Sequence, residues 1–193
     1  MPQTLRAFVA VPIPDAVALF LKQIQARLRL PGRNIRWVAP KNIHLTLKFL
    51  GEIDPSRVPA IAAQMDAAAG VTAAFSLTAK GVGVFPDLGH ARVLWVGLVG
   101  DLDRLKAIQA TLESGLESLG FKKESRGFGA HLTIGRIRRR IDAQLIGESV
   151  EPLKTVASDY FRVDRLMLFK SILKPHGPEY TLSLIHISEP TRL

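Results

Sequence analysis

Two short stretches hold the residue types that proton transfer requires: His44-Leu45-Thr46-Leu47 and His131-Leu132-Thr133-Ile134. In an extended strand, side chains alternate faces, so each His shares a face with its Thr while the aliphatic residues share the other. Each stretch therefore presents an imidazole and a hydroxyl together, anchored from behind by two aliphatic side chains. Histidine has an ordinary pKa of about 6.5, so near neutrality one ring can be neutral and the other protonated. Two such strands facing each other would supply a base for an attacking oxygen and an acid for a leaving oxygen. The Thr hydroxyls would donate hydrogen bonds to non-bridging oxygens. That set of groups suits cleavage of a phosphodiester.

Other chemistries lack their residues. The chain has no Cys, which excludes thiol nucleophiles, disulfide frameworks and cysteine-based metal sites. It has no HExxH motif and no carboxylate at ligand spacing beside either histidine, so no metal and no cofactor is expected. A GxSxG nucleophile elbow is absent too. The other three histidines fall outside the pattern. His90 sits in a Gly-containing turn, His176 in a Pro/Gly turn and His186 in the C-terminal segment.

The elements that must position the two motifs form an internal repeat. Residues 6–11 read as a strand, 15–29 as a helix started by Asp15 and stopped by Pro31-Gly32, and 43–50 as a strand. The order then recurs: a strand over 92–98, a helix begun by Asp101 and ended by Gly120, and a strand over 131–137. His131 follows His44 by 87 residues, and the first strands of the two halves are nearly as far apart. Equal offsets predict two structurally related lobes. A helix over 55–69 (begun by Asp54-Pro55), a strand over 74–84, a helical or irregular stretch over 143–154, a strand over 162–169 and a last strand from about Tyr180 complete the chain. The expected fold is α+β and bilobal, with antiparallel sheets and a cleft between the lobes.

The chain has 193 residues, 47% of them hydrophobic and 22% charged. That is enough to bury a core without staples. No apolar run is long enough to span a bilayer, and the start of the chain lacks a signal-peptide pattern. A cytoplasmic monomer with no membrane partner is expected. Lys and Arg total 26 against 17 Asp and Glu, a formal charge of +9. Such an excess favours an anionic partner.

On these residues the sequence resembles the two-histidine (2H) phosphoesterases, and within them the RNA 2',3'-cyclic phosphodiesterase family, also called 2'-5' RNA ligase. The resemblance rests on residues 6–10, on 38–52 around His44, and on Phe85-Pro86 and residues 92–95. It continues through His131-Leu132-Thr133-Ile134-Gly135-Arg136 and Ser171, and reaches about Tyr180. It implies a bilobal fold with a pseudo-twofold cleft. It also implies metal-free hydrolysis of an RNA 2',3'-cyclic phosphate, or of a nucleoside 2',3'-cyclic phosphate, to a 2'-phosphate, with 2'-5' joining as the reverse reaction. Carried over by motif, His44 would be the proton donor and His131 the proton acceptor, with Thr46, Thr133 and Arg136 binding the phosphate. Alternative readings are a related esterase on a small cyclic nucleotide, such as ADP-ribose 1'',2''-cyclic phosphate, and a non-catalytic RNA-binding module. Family members often carry Pro before the second His, where this chain has Gly129-Ala130. The domain is expected over 1–182. Residues 183–193 depart from the family's ending and are expected to lie outside it.

Strand alternation sorts the remaining candidates. Lys48 should share the face of His44 and Thr46 and touch the RNA backbone. Strict alternation would turn Arg136 away from His131, so its implied role needs a bulge near Gly135 or a strand end. Arg138, Arg139 and Arg140 form the densest basic cluster. With Lys122, Lys123 and Arg126 they would hold RNA phosphates. Phe85 is the preferred base-stacking aromatic, Trp37 is a further candidate, and Trp95 reads as packing.

Overall fold

The aliphatic residues behind each motif are what fix the two histidine strands. Leu45, Leu47, Leu132 and Ile134 are all buried, while His44, Thr46, His131 and Thr133 on the alternate positions stay partly exposed. The computed structural model describes the backbone of residues 4–125, 127–174 and 177–187, and side chains as far as Ser171. Arg126, His176 and residues 188–193 lie outside the described residues.

In chain order the elements are β1 (Leu5–Pro12), α1 (Asp15–Arg27), β2 (Ile35–Trp37), β3 (His44–Ile53), α2 (Val58–Ala69), β4 (Phe75–Phe85) and β5 (Val93–Gly100). Then come α3 (Leu102–Ser118), β6 (His131–Ile137), α4 (Ala143–Val150), β7 (Ala157–Val163), β8 (Arg165–Lys174) and β9 (Gly177–Ile187). Two antiparallel sheets result, ordered β3-β1-β8-β9 and β2-β6-β5-β4-β7. The α+β class and the internal repeat expected from the sequence are both present.

The halves exchange parts. β2 and β4 precede the second half in sequence yet belong to its sheet. Gln25 of α1 donates from Nε2 to the carbonyl of Ile134 in β6 and to that of Val38, both at 2.8 Å. Conversely, α3 follows a strand of the second sheet but packs on α2 and on β3 of the first. One apolar cluster therefore runs from Ala7 through Leu21, Ile61 and Leu112 to Leu132 and Leu168.

Several local signals are used differently from the sequence reading. Pro14, not Asp15, occupies the N-cap of α1. Asp15 sits in the first turn, where its charge complements the helix dipole. Asp101 is at the N-cap of α3, but its carboxylate makes no cap bond. It accepts instead from the Ser76 N–H of β4 at 3.3 Å. Asp54 caps a 3-10 turn at Pro55–Arg57 ahead of α2. Gly120 does stop α3, at φ +85°. Its N–H donates to the Glu117 carbonyl and that of Phe121 to Leu116, the paired bonds of a Schellman ending. The single strand expected over 162–169 is two strands, β7 and β8, broken at Asp164. β9 begins at Gly177 and pairs with β8 as far as Ile187, so it takes in residues 183–187.

The decisive departure from regular pairing is a pair of matching β-bulges. In β3 the register against β1 jumps from Thr46 to Lys48, skipping Leu47. In β6 the register against β5 jumps from Thr133 to Gly135, skipping Ile134. An extra residue reverses the face of everything after it. Lys48 is thereby removed from the face of His44 and Thr46, and the expectation that it contacts RNA is corrected. It is buried at 3% exposure, with Nζ 2.5 Å from Glu113 Oε1 of α3. Nζ also donates to the Lys122 carbonyl at 2.6 Å, and Glu113 Oε1 accepts the Glu124 N–H at 2.7 Å. Gln109 Nε2 donates to the other carboxylate oxygen. This pair ties the first motif strand to the loop that leads into the second.

Removing one member strands a buried charge. Glu113→Gln and Lys48→Ala are each expected to cost about 3–5 kcal/mol in denaturant unfolding. The paired change Lys48→Met with Glu113→Leu should recover most of that loss. Single variants as stable as the parent would mean that the pair is solvated.

Candidate active site

His44 opens β3 directly after a 3-10 turn at Pro40–Asn42. That turn presents the Asn42 carbonyl to the His44 ring, which hydrogen-bonds to it. The ring stacks on Phe8 of β1 at 4.5 Å between centroids and lies 5.6 Å from Phe169 of β8. Phe8 and Phe169 stack on each other at 5.2 Å. Phe8, Ala10 and Met167 are buried but stand apart from the main apolar cluster; they form a floor beneath His44. Burial against this floor is the main cause lowering the His44 pKa to about 4. The Asn42 hydrogen bond opposes the shift and the Arg136 charge adds to it. β3 and β6 pack against each other, which sets the two motif strands side by side.

His131 opens β6 in the same way. Its Nδ1 lies 2.7 Å from the Gly129 carbonyl, so Nδ1 carries the proton and Nε2 faces outward as the free basic nitrogen. Both rings thus bond to the carbonyl two residues upstream. Phe85 of β4 meets the His131 ring edge-on at 5.1 Å. It also lies 5.1 Å from Trp95, which stands opposite Thr133 in the ladder. Trp95 belongs to this face rather than to core packing. Its ring covers Gly83, where a Cβ would come within 2.2 Å of it. Its buried indole N–H has no hydrogen-bond partner among the described residues.

The bulge at Ile134 decides where Arg136 points. Gly135 and Ile137 are buried and Arg136 is exposed, so Arg136 shares the face of His131 and Thr133. The Ile134 carbonyl accepts from Val38 N–H and from Gln25, which holds the bulge open. Arg36 of β2 stands directly opposite Arg136. No carboxylate forms a salt bridge to either among the described residues. Two like charges across a ladder repel, and an anion between them relieves that cost. Ser171 of β8 pairs with Arg6 of β1 between the two inner strands of the first sheet.

Other expected residues are not brought to the histidines. Arg138, Arg139 and Arg140 are exposed beyond the end of β6 opposite His131. Asn34 holds them there, its carbonyl accepting from Arg138 N–H at 2.8 Å. Trp37 is packing, because it faces Gly135 on the buried side; the stacking expectation for it is corrected. His90 is exposed beside Asp87. The sequence reading missed Arg36, Phe8, Phe169 and Phe49. The 87-residue offset offered one signal: it superposes Phe8 on Trp95 and Phe49 on Arg136. Among the described residues no three His, Asp or Glu side chains gather as a metal site requires.

The His44 shift has a measurable sign. The unfolded chain takes up a proton near pH 6.5 that the folded protein refuses until about pH 4. Folding stability should therefore fall as pH drops through that window. An NMR titration should place the His44 midpoint near 4, and Phe8→Ala should raise it by admitting water. A midpoint near 6.5 in the unaltered protein would contradict the buried setting.

Comparison with known proteins agrees with this geometry. The LigT-like phosphoesterase family matches the chain twice in succession, over residues 11–95 and 96–180. An RNA 2',3'-cyclic phosphodiesterase of Methanocaldococcus jannaschii is 32% identical over 176 residues, covering 91% of this chain and 96% of that protein. One from Thermotoga maritima is 35% identical over 178 residues, covering 91% of each. The crystal structure of TT0787 of Thermus thermophilus superposes with a TM-score of 0.78 at 27% identity, covering 95% of this chain and 97% of that one. Two matches in tandem, each spanning one motif, account for the repeat, and the chain belongs to the LigT-like phosphoesterases of the 2H superfamily.

Proposed function

We propose that this protein hydrolyses the 2',3'-cyclic phosphate at an RNA end to a 2'-phosphate without a metal. The observation that carries the reading is that β3 and β6, each with a His and a Thr on one face, pack against each other, with Arg136 on the face of His131 and Thr133. The relatives carrying that activity in their names support the substrate class. The cyclic phosphate sits against Thr46, Thr133 and Arg136, which bind its non-bridging oxygens. His131 Nε2 takes a proton from water, whose oxygen forms a bond to phosphorus. The bond from phosphorus to O3' breaks, and His44 gives its proton to that oxygen.

The resting His44 is neutral at pH 7, because its pKa is about 4. An acid must be protonated, and the substrate supplies the condition. A phosphate anion beside the ring favours the imidazolium and offsets the Arg136 charge. Proton uptake then accompanies substrate binding. With a 5'-hydroxyl in place of water, the same step joins two RNA ends: His131 takes the hydroxyl proton, the 5'-oxygen bonds to phosphorus, the bond to O3' breaks as His44 protonates it, and a 2'-5' linkage results.

The test is a short RNA ending in 2',3'-cyclic phosphate, incubated with excess EDTA, with the product separated as 2'- or 3'-phosphate. A 2'-phosphate is expected, and His44→Ala or His131→Ala should remove most activity. The double variant should lose little more, because the pair acts as a unit. Loss of activity on chelation, restored by Mg²⁺ or Mn²⁺, would refute the metal-free step. Full activity in either single variant would refute the site.

The arginines separate binding from chemistry. Replacing Arg138, Arg139 and Arg140 together should weaken oligonucleotide binding and flatten its salt dependence. A cyclic mononucleotide, with no flanking backbone, should be hydrolysed nearly as before. Arg136→Ala should lower kcat/KM on both substrates. The reverse pattern would mean that the cluster, not Arg136, holds the reacting phosphate.

A further inference from the structure

The inward stripe of α1 carries one amide among aliphatic residues. Leu21, Ile24 and Leu28 are buried. Gln25, half-buried, follows Leu21 by four residues and precedes Leu28 by three, on the same side of the helix. A polar group set in such a stripe must find partners or bear its desolvation cost. Gln25 finds two of them outside its own helix. Its Nε2 donates to the Val38 carbonyl and to the Ile134 carbonyl, each at 2.8 Å. A side-chain amide has two N–H donors, so both are used. The Ile134 carbonyl also accepts the Val38 N–H at 3.0 Å, which fills both of its lone pairs.

The two carbonyls belong to opposite sides of the site. Ile134 is the bulged residue of β6, directly after Thr133 and two residues before Arg136. Val38 lies one residue beyond the end of β2 and leads, through Ala39, into the 3-10 turn at Pro40–Asn42. The last carbonyl of that turn meets the His44 ring, and α1 packs on the turn itself. A bulged carbonyl released from the regular ladder has to be bonded elsewhere for the bulge to persist. If Ile134 slipped back into regular pairing, Arg136 would turn inward. We propose that Gln25 is a positioning residue for phosphate binding: by holding Val38 and Ile134 on one amide, it keeps Arg136 on the cleft face and at a fixed distance from the turn that carries His44. The inference rests on the proposed role of Arg136 and names the group on which that role depends. Gln25 acts through the backbone of β6 and takes no part in proton transfer.

The test is a double-mutant cycle. Gln25→Met keeps the length and helix preference of the side chain and removes both donors. It should lower kcat/KM for cytidine 2',3'-cyclic phosphate by about 10- to 100-fold, the cost of displacing a binding group by roughly 1 Å. In an Arg136→Ala background the same change should do little more, because the two residues act as one unit. Ile24→Val is the control: it loosens α1 in the core without removing a donor from either carbonyl, so its cost should be equal in both backgrounds. Calorimetry with cytidine 2'-phosphate repeats the cycle without turnover and should show the same coupling. Thermal melts fix a temperature at which every variant is folded. Gln25→Asn, one methylene shorter, is the milder change and should couple to Arg136 in the same sense. Parental activity in Gln25→Met, or equal effects with and without Arg136 in both hydrolysis and binding, overturns the positioning role and leaves the phosphodiesterase reading intact. Coupling in binding with no hydrolysis by the unaltered protein sinks the reaction and keeps the role of Gln25. Absence of both hydrolysis and binding removes the phosphate role of Arg136 and the inference with it.

Discussion

The extra residue that directly follows each motif threonine governs this site. A strand without a bulge would place Lys48 beside Thr46 and turn Arg136 into the core. With Leu47 and Ile134 inserted, Lys48 goes inward and Arg136 outward. The inward lysine requires a buried counter-charge, and Glu113 of α3 supplies it. The outward arginine requires that the bulged Ile134 carbonyl find donors, and Val38 and Gln25 supply those. The same local irregularity therefore sets which side chains face the cleft and pins the loop entering the second motif.

The exchange of helices between halves makes the cleft a property of the whole chain. α1 reaches across to β6 through Gln25, and α3 reaches back to β3 through Glu113. Each crossing comes from a sequence half that does not own the sheet it covers. A rigid-body opening of the two sheets would break these buried polar links as well as the apolar cluster around them. Buried hydrogen bonds to carbonyls and charges cost most when left unmade. The placement of the two motif strands is thus held by packing and polar bonds together, the preorganisation that the proposed acid–base catalysis at a single phosphorus needs.

Much of this was legible in the residues. The period-two pattern placed β3 and β6 within a few residues, and the 87-residue offset exposed the repeat. What the pattern could not carry was the bulge itself in β3. Leu47 is a good strand residue, and nothing in His44 to Leu50 distinguishes a regular strand from an irregular one. Hence Lys48 was placed on the wrong face, whereas Gly135 flagged the second bulge. Trp37 and Trp95 were reversed for a related reason: a tryptophan on a short strand reads the same whether it packs on a glycine of the core face or of the cleft face. The break at Asp164, which splits β7 from β8, sits within a run of strand-like residues and gave no turn signal.

The repeat also explains why the divergence between halves is informative. Equivalent positions preserve the ring-to-carbonyl bond of each histidine, with acceptors Asn42 and Gly129. They preserve the hydroxyl and the bulge and place an aromatic at the same offset, Phe8 in one half and Trp95 in the other, although the ring that meets His131 is Phe85. They differ at Phe49 and Arg136. A symmetric substrate would be served by symmetric walls, but a cyclic phosphate is not symmetric: phosphorus carries the charge, and one side only bears the ribose. On the proposed reading, charge on one wall and an exposed ring on the other match that asymmetry. The environments of the histidines follow suit. His44 is sunk on Phe8 and Phe169 and holds its proton weakly, so a bound anion has the largest leverage on it. On the proposed reading, an acid that becomes charged only when its substrate arrives leaves the empty site without a buried imidazolium, which the floor beneath His44 could not solvate.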